Sequence, residues 1–241
     1  MQRCVEDAQK ALRLARESGL KNIAALTLKS DRVLERPASG LIADTVPHPT
    51  PGNRLIVTEA KEASPEKPLR AVVGGPLTTV ANALRTNPDI GARLAVFNIL
   101  VNNYGYNGKD GWAAYIVANM TRYIDWGGGQ FWDRNSVFVA EHFDALPDNP
   151  FNADTKRVIR RNLGQVNQLG DGAPLLWLHQ PKCWTGVEIR QTEFHGREVQ
   201  FALVPAGGTG DLLVIPKAAT DMKANREEFF RVLTNPDLYR R

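Results

Sequence analysis

Cysteine, long apolar runs and a strong excess of either charge are all scarce in this chain. Its 241 residues include two cysteines, Cys4 and Cys183, which lie far apart and outside any metal-ligand spacing. This argues against a disulfide framework and against a zinc site. No apolar run approaches the roughly 20 residues of a membrane span, so no membrane partner is expected. The charged N-terminus has no apolar signal-peptide core, which predicts a cytoplasmic protein if that terminus is authentic.

The net charge is only +4, from 30 basic and 26 acidic residues. The densest basic cluster lies on one predicted helix and consists of Lys156, Arg157, Arg160 and Arg161. A solvated helix face explains this cluster more simply than a nucleic-acid patch, so no nucleic-acid partner is expected. The glycine runs at 127–129 and 207–208 do not form G-x-G-x-x-G, which argues against a dinucleotide site.

Helical and strand patterns alternate over most of the chain. Helices are predicted over residues 5–18, 55–63, 78–87, 112–123, 153–163, 171–178 and 224–233. Strands are predicted over residues 22–28, 69–73, 93–101, 197–204 and 212–215, the last two as an antiparallel pair. Residues 36–53 predict a long loop, in which His48 is interpreted as an exposed loop residue rather than a catalytic one. The order predicts one α/β domain over residues 1–241, with a mainly parallel central sheet and a small C-terminal β-hairpin and helix.

The segment 69–84, LRAVVGGPLTTVANAL, is the most informative one in the chain. A short apolar strand meets Gly74-Gly75-Pro76, and a helical pattern starts at Thr78. Parallel α/β folds bind ligands at such turns, because the turn lies at the carboxyl end of a strand. The glycines let a ligand approach the backbone, and the helix start presents N–H groups. The alternative is a turn that serves chain geometry alone.

Within that segment, residues 75–81, GPLTTVA, resemble the GPLTN-x-A motif of the nucleoside hydrolases, with Thr79 in place of the motif's Asn. These proteins are calcium-dependent N-ribohydrolases. The resemblance implies a three-layer, Rossmann-like α/β fold and hydrolysis of the N-glycosidic bond of ribonucleosides in nucleoside salvage. It also implies calcium as the cofactor, a nucleoside or sugar-like small molecule as the ligand, and a homo-oligomer.

A second part of the resemblance lies in residues 169–184, LGDGAPLLWLHQPKCW. Asp171 falls on the calcium-binding aspartate of the family, and Pro181 falls on its turn proline. Gly170 replaces the family histidine that assists the departing base. The resemblance therefore implies that Asp171 and the carbonyl of Gly74 bind the metal. The alternative for Asp171 is a helix N-cap.

Residues 104–119, YGYNGKDGWAAYIVAN, carry the third and weakest part of the resemblance. Asn107 falls on the asparagine of the family's GN, while Ala113 and Tyr115 replace the Glu and Asn that bind ribose hydroxyls. Asn107 and Tyr115 are therefore implied to bind the substrate, although Asn107 also suits a role within its own turn. Trp112 is a further candidate that could stack on a base or sugar, with core packing as the alternative.

The family's opening motif D-x-D-x-x-x-D-D, which supplies most calcium ligands and the base that activates water, does not occur in residues 1–241. We expect this chain to begin after the strand that carries that motif. The resemblance thus identifies no catalytic residue here, and Asp110, Asp125 and Asp133 are either substitutes or surface carboxylates. Two hypotheses follow, an N-ribohydrolase and a non-catalytic homologue that binds a sugar or nucleoside or serves as an interaction module.

Overall fold

The computed structural model gives the chain a sheet flanked by helices. It describes residues 2–21, 23–24, 28, 33–98, 110–125, 146–161, 184–195, 198–203, 213–219, 227, 231 and 234–235. The chain divides into two compact units. One comprises Met1–Leu28, Phe131–Cys183 and Ala219–Arg241, and the other Lys29–Gln130 and Trp184–Ala218. No described helix is long and apolar enough to cross a bilayer. The interpretation of residues 1–241 as a single domain stays a prediction.

The first unit contains two packed helices, α1 (Gln2–Glu17) and α5 (Pro150–Arg161). Lys10 Nζ donates to Asp154 Oδ1 at 2.6 Å and joins the two helices. The Ser18 hydroxyl accepts a hydrogen bond from the Phe151 N–H at 2.9 Å, just beyond the end of α1. Gly19 follows with φ +76°, the left-handed conformation that commonly ends a helix and favours glycine.

The second unit contains the helices α2 (Pro51–Lys61), α3 (Thr78–Thr86) and α4 (Gly111–Met120). Its strands are β1 (Leu69–Val73), β2 (Leu94–Asn98), β3 (Arg122–Asp125), β4 (Trp184–His195), β5 (Glu198–Leu203) and β6 (Leu213–Ala219). The sheet order is β1-β2-β3-β6-β4-β5. Strands β1, β2, β3 and β6 pair in parallel, and β4 and β5 pair antiparallel. The predicted α/β class with a mainly parallel sheet is confirmed. The antiparallel pair that was predicted between residues 197–204 and 212–215 is instead formed by β4 and β5.

The core of this unit lies between the first three strands and helices α3 and α4. All five residues of β2 are buried, as expected for an interior parallel strand. Helix α4 is apolar on nearly every side, and its Ala113, Ile116 and Val117 are fully buried. Val80, Ala81 and Leu84 of α3 pack into the same cluster. The first three strands of the sheet therefore pack against a buried apolar core.

Several predicted boundaries were wrong. The helix predicted over 112–123 ends at Met120, and residues 122–125 instead form β3 on the parallel edge of β2. Helix α2 starts at Pro51 rather than at Leu55, because Thr50 and Asn53 form a capping box that starts it within the predicted loop. The strand β4 was not predicted. The sequence predicted residues 212–215 as the antiparallel partner of β5, but that partner is β4. Residues 213–219 form β6, which pairs in parallel with β3 instead.

The strand at 69–73 and the helix starting at Thr78 are confirmed, and Pro88 ends that helix as expected. The helices at 5–18 and 153–163 are confirmed within a few residues. The strand predicted at 22–28 and the helix predicted at 224–233 lie mostly outside the described residues. The helix predicted at 171–178 lies entirely outside them.

Candidate functional site

Three parallel strands end together at one edge of the sheet. Val73 of β1 lies beside Asn98 of β2, and Asn98 lies beside Asp125 of β3. Gly74 follows Val73 directly, so its backbone lies at this same edge. Helix α3 begins only four residues later, and its N-cap residue Leu77 has no side-chain acceptor for the first-turn N–H groups. Strand ends and a helix start therefore converge where open α/β sheets bind ligands.

A buried polar pair lies just inside this edge. The Asn98 side-chain amide donates to the Tyr123 hydroxyl at 2.8 Å, and both side chains are almost completely buried. Sequence reasoning missed Asn98, because it closes an apolar strand pattern and has no motif around it. A buried amide must be hydrogen-bonded to be tolerated, so this pair fixes the relative positions of the ends of β2 and β3.

The segment Val33–Thr50, called the groove loop below, contacts helices α3 and α4 through hydrogen bonds. Trp112, in the first turn of α4, donates from its indole N–H to the Thr45 hydroxyl at 3.0 Å. The Arg36 guanidinium lies 5.6 Å from the centre of a Trp112 ring. Arg85 of α3 donates to the Ala43 carbonyl at 2.7 Å. The loop is thus attached to both α3 and α4 by polar contacts.

The groove loop lines a half-open groove of about 740 Å³. This volume falls in the range of small-molecule sites. Its polar lining consists of Glu35, Arg36, Asp44 and His48. The two carboxylates, one guanidinium and one imidazole supply both donors and acceptors of hydrogen bonds.

His48 is held at its backbone from two sides. Its N–H donates to Asn82 Oδ1 at 2.7 Å, and its carbonyl accepts from Asn53 Nδ2 at 3.1 Å. Asn82 and Asn53 are 0% and 1% exposed. His48 itself is half-buried and contributes to the groove, so it is not the exposed loop residue that the sequence suggested.

Asp110 is a buried acid at the N-cap of α4. Its exposed fraction is 3%, and neither carboxylate oxygen has a hydrogen-bond partner among the described residues. The N–H groups of Ala113 and Leu34 face the carboxylate without closing a hydrogen bond of normal geometry, and they lower its pKa only in part. Burial dominates and raises the pKa of Asp110 to about 7. Sequence reasoning offered Asp110 as a substitute or surface carboxylate, because nothing local reveals its burial.

The predicted site residues are only partly brought together. Trp112 is 4% exposed and stacks on Tyr115, with ring centres 5.3 Å apart and planes inclined by 20°. Tyr115 is half-buried, and Gly74 lies exposed at the end of β1. Asn107 and Asp171 lie outside the described residues. Binding of substrate by Asn107, Tyr115 and Trp112, and of metal by Gly74 and Asp171, stays a prediction.

The described residues do not by themselves fit a calcium ion. No group of three or more His, Cys, Asp or Glu side chains within the described part of the chain could hold a metal. Calcium takes six to eight oxygen ligands, and the Gly74 carbonyl supplies one.

Comparison with known proteins identifies the fold. No protein-family model and no curated protein sequence matches the chain. A purine-preferring ribonucleoside hydrolase from Gardnerella vaginalis superposes with a TM-score of 0.60, over 81% of this chain and 71% of that one, at 15% identity. The chain has the fold of the nucleoside hydrolases.

Two further solved structures show the same fold. An inosine-guanosine nucleoside hydrolase gives a TM-score of 0.57 at 17% identity, over 78% of this chain and 67% of that one. A plant nucleoside hydrolase gives 0.56 at 12% identity, over 83% and 73% of the two chains. These identities are too low to carry an activity across. These comparisons therefore establish the nucleoside hydrolase fold and not the reaction.

Proposed function

We propose that this protein binds a ribonucleoside at the carboxyl edge of its sheet and hydrolyses the N-glycosidic bond. The observation that carries the proposal is the register of β1, β2 and β3, which end side by side at Val73, Asn98 and Asp125. Solved proteins with this fold are named for ribonucleoside hydrolysis. Their names suggest a ribonucleoside as the substrate. The side-by-side ends of β1, β2 and β3 support the carboxyl edge of the sheet as the place where it binds.

Hydrolysis of an N-glycosidic bond needs a group that transfers a proton at the working pH. Among the described carboxyl groups, Asp110 suits this role because burial raises its pKa to about 7. It lies at the start of α4, the helix between β2 and β3, and a helix that joins two parallel strands begins on the side of their carboxyl ends. We therefore assign proton transfer to Asp110 within this proposal.

Calcium is proposed as the cofactor on the strength of the resemblance, with Gly74 and Asp171 as ligands. Isothermal titration of the purified protein with CaCl2 tests this directly. An Asp171→Asn variant is expected to bind calcium more weakly, while Asp89→Asn, at an exposed position of the described chain, serves as the matched control. Equal affinity of the two variants would remove Asp171 from the metal site.

The activity test measures free base released from inosine and from uridine, by chromatography, with and without calcium. Wild type is expected to release base, and Asp110→Asn is expected to slow release by about 100-fold, the usual scale of general acid–base catalysis. No release from either nucleoside in the presence of calcium would refute hydrolysis.

A specific observation favours the second function, binding without cleavage. At positions where the family pattern places ribose-binding side chains, Ala113 is fully buried in the core, and its neighbour Trp112 is 4% exposed. A protein with this arrangement would hold a nucleoside or sugar through other residues and leave it intact. Measurable inosine affinity together with no base release would establish this alternative.

A further inference from the structure

The backbone of His48 is restricted both by its neighbours in the sequence and by hydrogen bonds to two distant side chains. Pro47 and Pro49 flank it, and each proline locks its own φ near −65°. A residue that precedes proline is also restricted to extended conformations, so His48 has few backbone choices. The His48 N–H donates to Asn82 at 2.7 Å, and its carbonyl accepts from Asn53 at 3.1 Å, so the His48 backbone is held by two different helices.

Both asparagines are committed to this task. Asn53 Oδ1 accepts from the Thr50 N–H at 2.9 Å and so completes the capping box of α2. Asn82 Nδ2 donates to the Thr78 carbonyl at 3.2 Å within α3. The other polar atom of each side-chain amide, Asn53 Nδ2 or Asn82 Oδ1, is hydrogen-bonded to the backbone of His48. Burying an amide costs free energy unless its polar atoms are paired, so the two helices and the His48 backbone stabilise one another.

These hydrogen bonds involve only the backbone of His48. Its side chain is available to the groove, which His48 lines together with Glu35, Arg36 and Asp44. Asn82 lies on α3, the helix that begins four residues after Gly74, so the backbone of His48 is hydrogen-bonded to that helix. The groove lining has two carboxyl groups, from Glu35 and Asp44, and one guanidinium, from Arg36, so its acidic groups outnumber its basic one. It therefore disfavours a phosphate and suits a neutral ligand whose hydroxyl groups both donate and accept hydrogen bonds.

We propose that His48 is a ligand-contacting residue of this groove, that Asn53 and Asn82 are its positioning residues, and that the ligand is uncharged and bears hydroxyl groups. The choice of a ribonucleoside as this ligand rests on the proposed function. The groove selects the nucleoside over its phosphorylated form because of Glu35 and Asp44.

The test is isothermal titration with inosine, D-ribose and inosine 5′-monophosphate, in EDTA so that it is independent of calcium. His48→Ala is expected to weaken inosine binding about tenfold, the loss of roughly one hydrogen bond. His48→Gln, which keeps a polar side chain, is expected to recover part of the affinity. Glu59→Gln, which places the same residue at an exposed position of α2, is the matched control and is expected to bind as wild type does.

A double-mutant cycle separates positioning from general stability. Asn82→Ala is expected to weaken binding in wild type and to have no further effect in the His48→Ala background, because Asn82 acts through His48. If Asn82→Ala fails to fold, the His48 variants carry the test alone, since the imidazole is half-buried at the surface. The chain has four histidines, and the His48 proton resonance, identified by its loss in His48→Gln, is expected to shift when inosine is added.

The outcomes are distinguishable from those of the hydrolysis assay. Inosine binding by wild type and His48→Ala with equal affinity overturns the inference, and so does the absence of any wild-type binding. Inosine 5′-monophosphate that binds as tightly as inosine overturns the charge selection. Binding that depends on His48 without base release supports the inference and refutes only hydrolysis.

Discussion

Replacing Asp110 by asparagine is expected to stabilise the folded protein at pH 8 and to leave its stability nearly unchanged at pH 4. The carboxyl group is 3% exposed, and burial raises its pKa from 3.8 to about 7. The folded protein therefore keeps this proton up to about pH 7, whereas the unfolded chain releases it near pH 3.8. Asparagine has the same shape and carries no charge, and it is a good N-cap residue.

The sign and size follow from proton linkage. Between pH 4 and pH 7 the folded state binds more protons than the unfolded state, so the free energy of unfolding falls as pH rises. The stabilisation that proton binding to Asp110 gives the folded state is complete below the pKa of the unfolded chain. It is lost as the pH rises through the pKa of the folded protein. A tenfold change in a proton affinity corresponds to about 1.4 kcal/mol. Raising the Asp110 pKa from 3.8 to about 7 therefore lowers the free energy of unfolding by about 4 kcal/mol at pH 8. Asp110→Asn has no group that ionises at this position, so its free energy of unfolding does not fall in this way as the pH rises.

Urea unfolding followed by tryptophan fluorescence at pH 4, 6 and 8 measures the effect. Wild type and Asp110→Asn are expected to have similar midpoints at pH 4 and to diverge as pH rises, with unchanged m-values. Asp89→Asn, which removes an exposed carboxylate, is expected to show no such divergence. A difference between wild type and Asp110→Asn that is the same at every pH, or a less stable variant at pH 8, would refute the reasoning.

Three further predictions concern the stability of the fold and can be measured by the same urea titration. Gly91→Ala is expected to cost about 1–3 kcal/mol, because its Cβ would overlap the backbone carbonyl oxygen of Met120. Gly75→Ala, with nothing within 4 Å of its Cβ, is the control and should change stability by less than about 0.5 kcal/mol. Thr50→Ala removes the capping box of α2 and is expected to cost about 1 kcal/mol, so an unchanged midpoint would contradict that role. Asp154→Asn is expected to cost about 0.5–1 kcal/mol at pH 7. That difference should shrink in acid, because the Lys10 hydrogen bond lowers the pKa of Asp154 and acid protonates the group; persistence of the full difference at pH 2 would count against it.

The segment 69–86 was predictable because its signals are local. An apolar β-rich run, two glycines with a proline, and a helical pattern stopped by Pro88 each act within a few residues of chain. The start of α2 also had a local signal in Thr50 and Asn53, which the sequence interpretation passed over. The alternation of β-branched and polar residues in β4 was a similar missed signal.

The strand β3 was not predictable in the same way. Residues 122–125 follow α4 after a single residue, and their pattern continues that of a helix. Their extended form is stabilised by pairing with Ala95, Val96, Phe97 and Asn98 of β2, a contact between segments more than 20 residues apart. Propensity is a weak guide where such pairing decides the conformation.

The sequence by itself determined the α/β class, the strand–turn–helix unit at the carboxyl edge of the sheet, and the resemblance that pointed to this fold. Tertiary structure alone decided the chemistry of the candidate site. Asp110 became an acid with a pKa of about 7 only through burial. Asn98 and Asp125 became neighbours only through strand register, and His48 entered a groove only through Asn53 and Asn82. Patterns of a few residues encode local conformation, whereas burial, register and side-chain pairing arise from segments distant in the chain, which no local pattern contains.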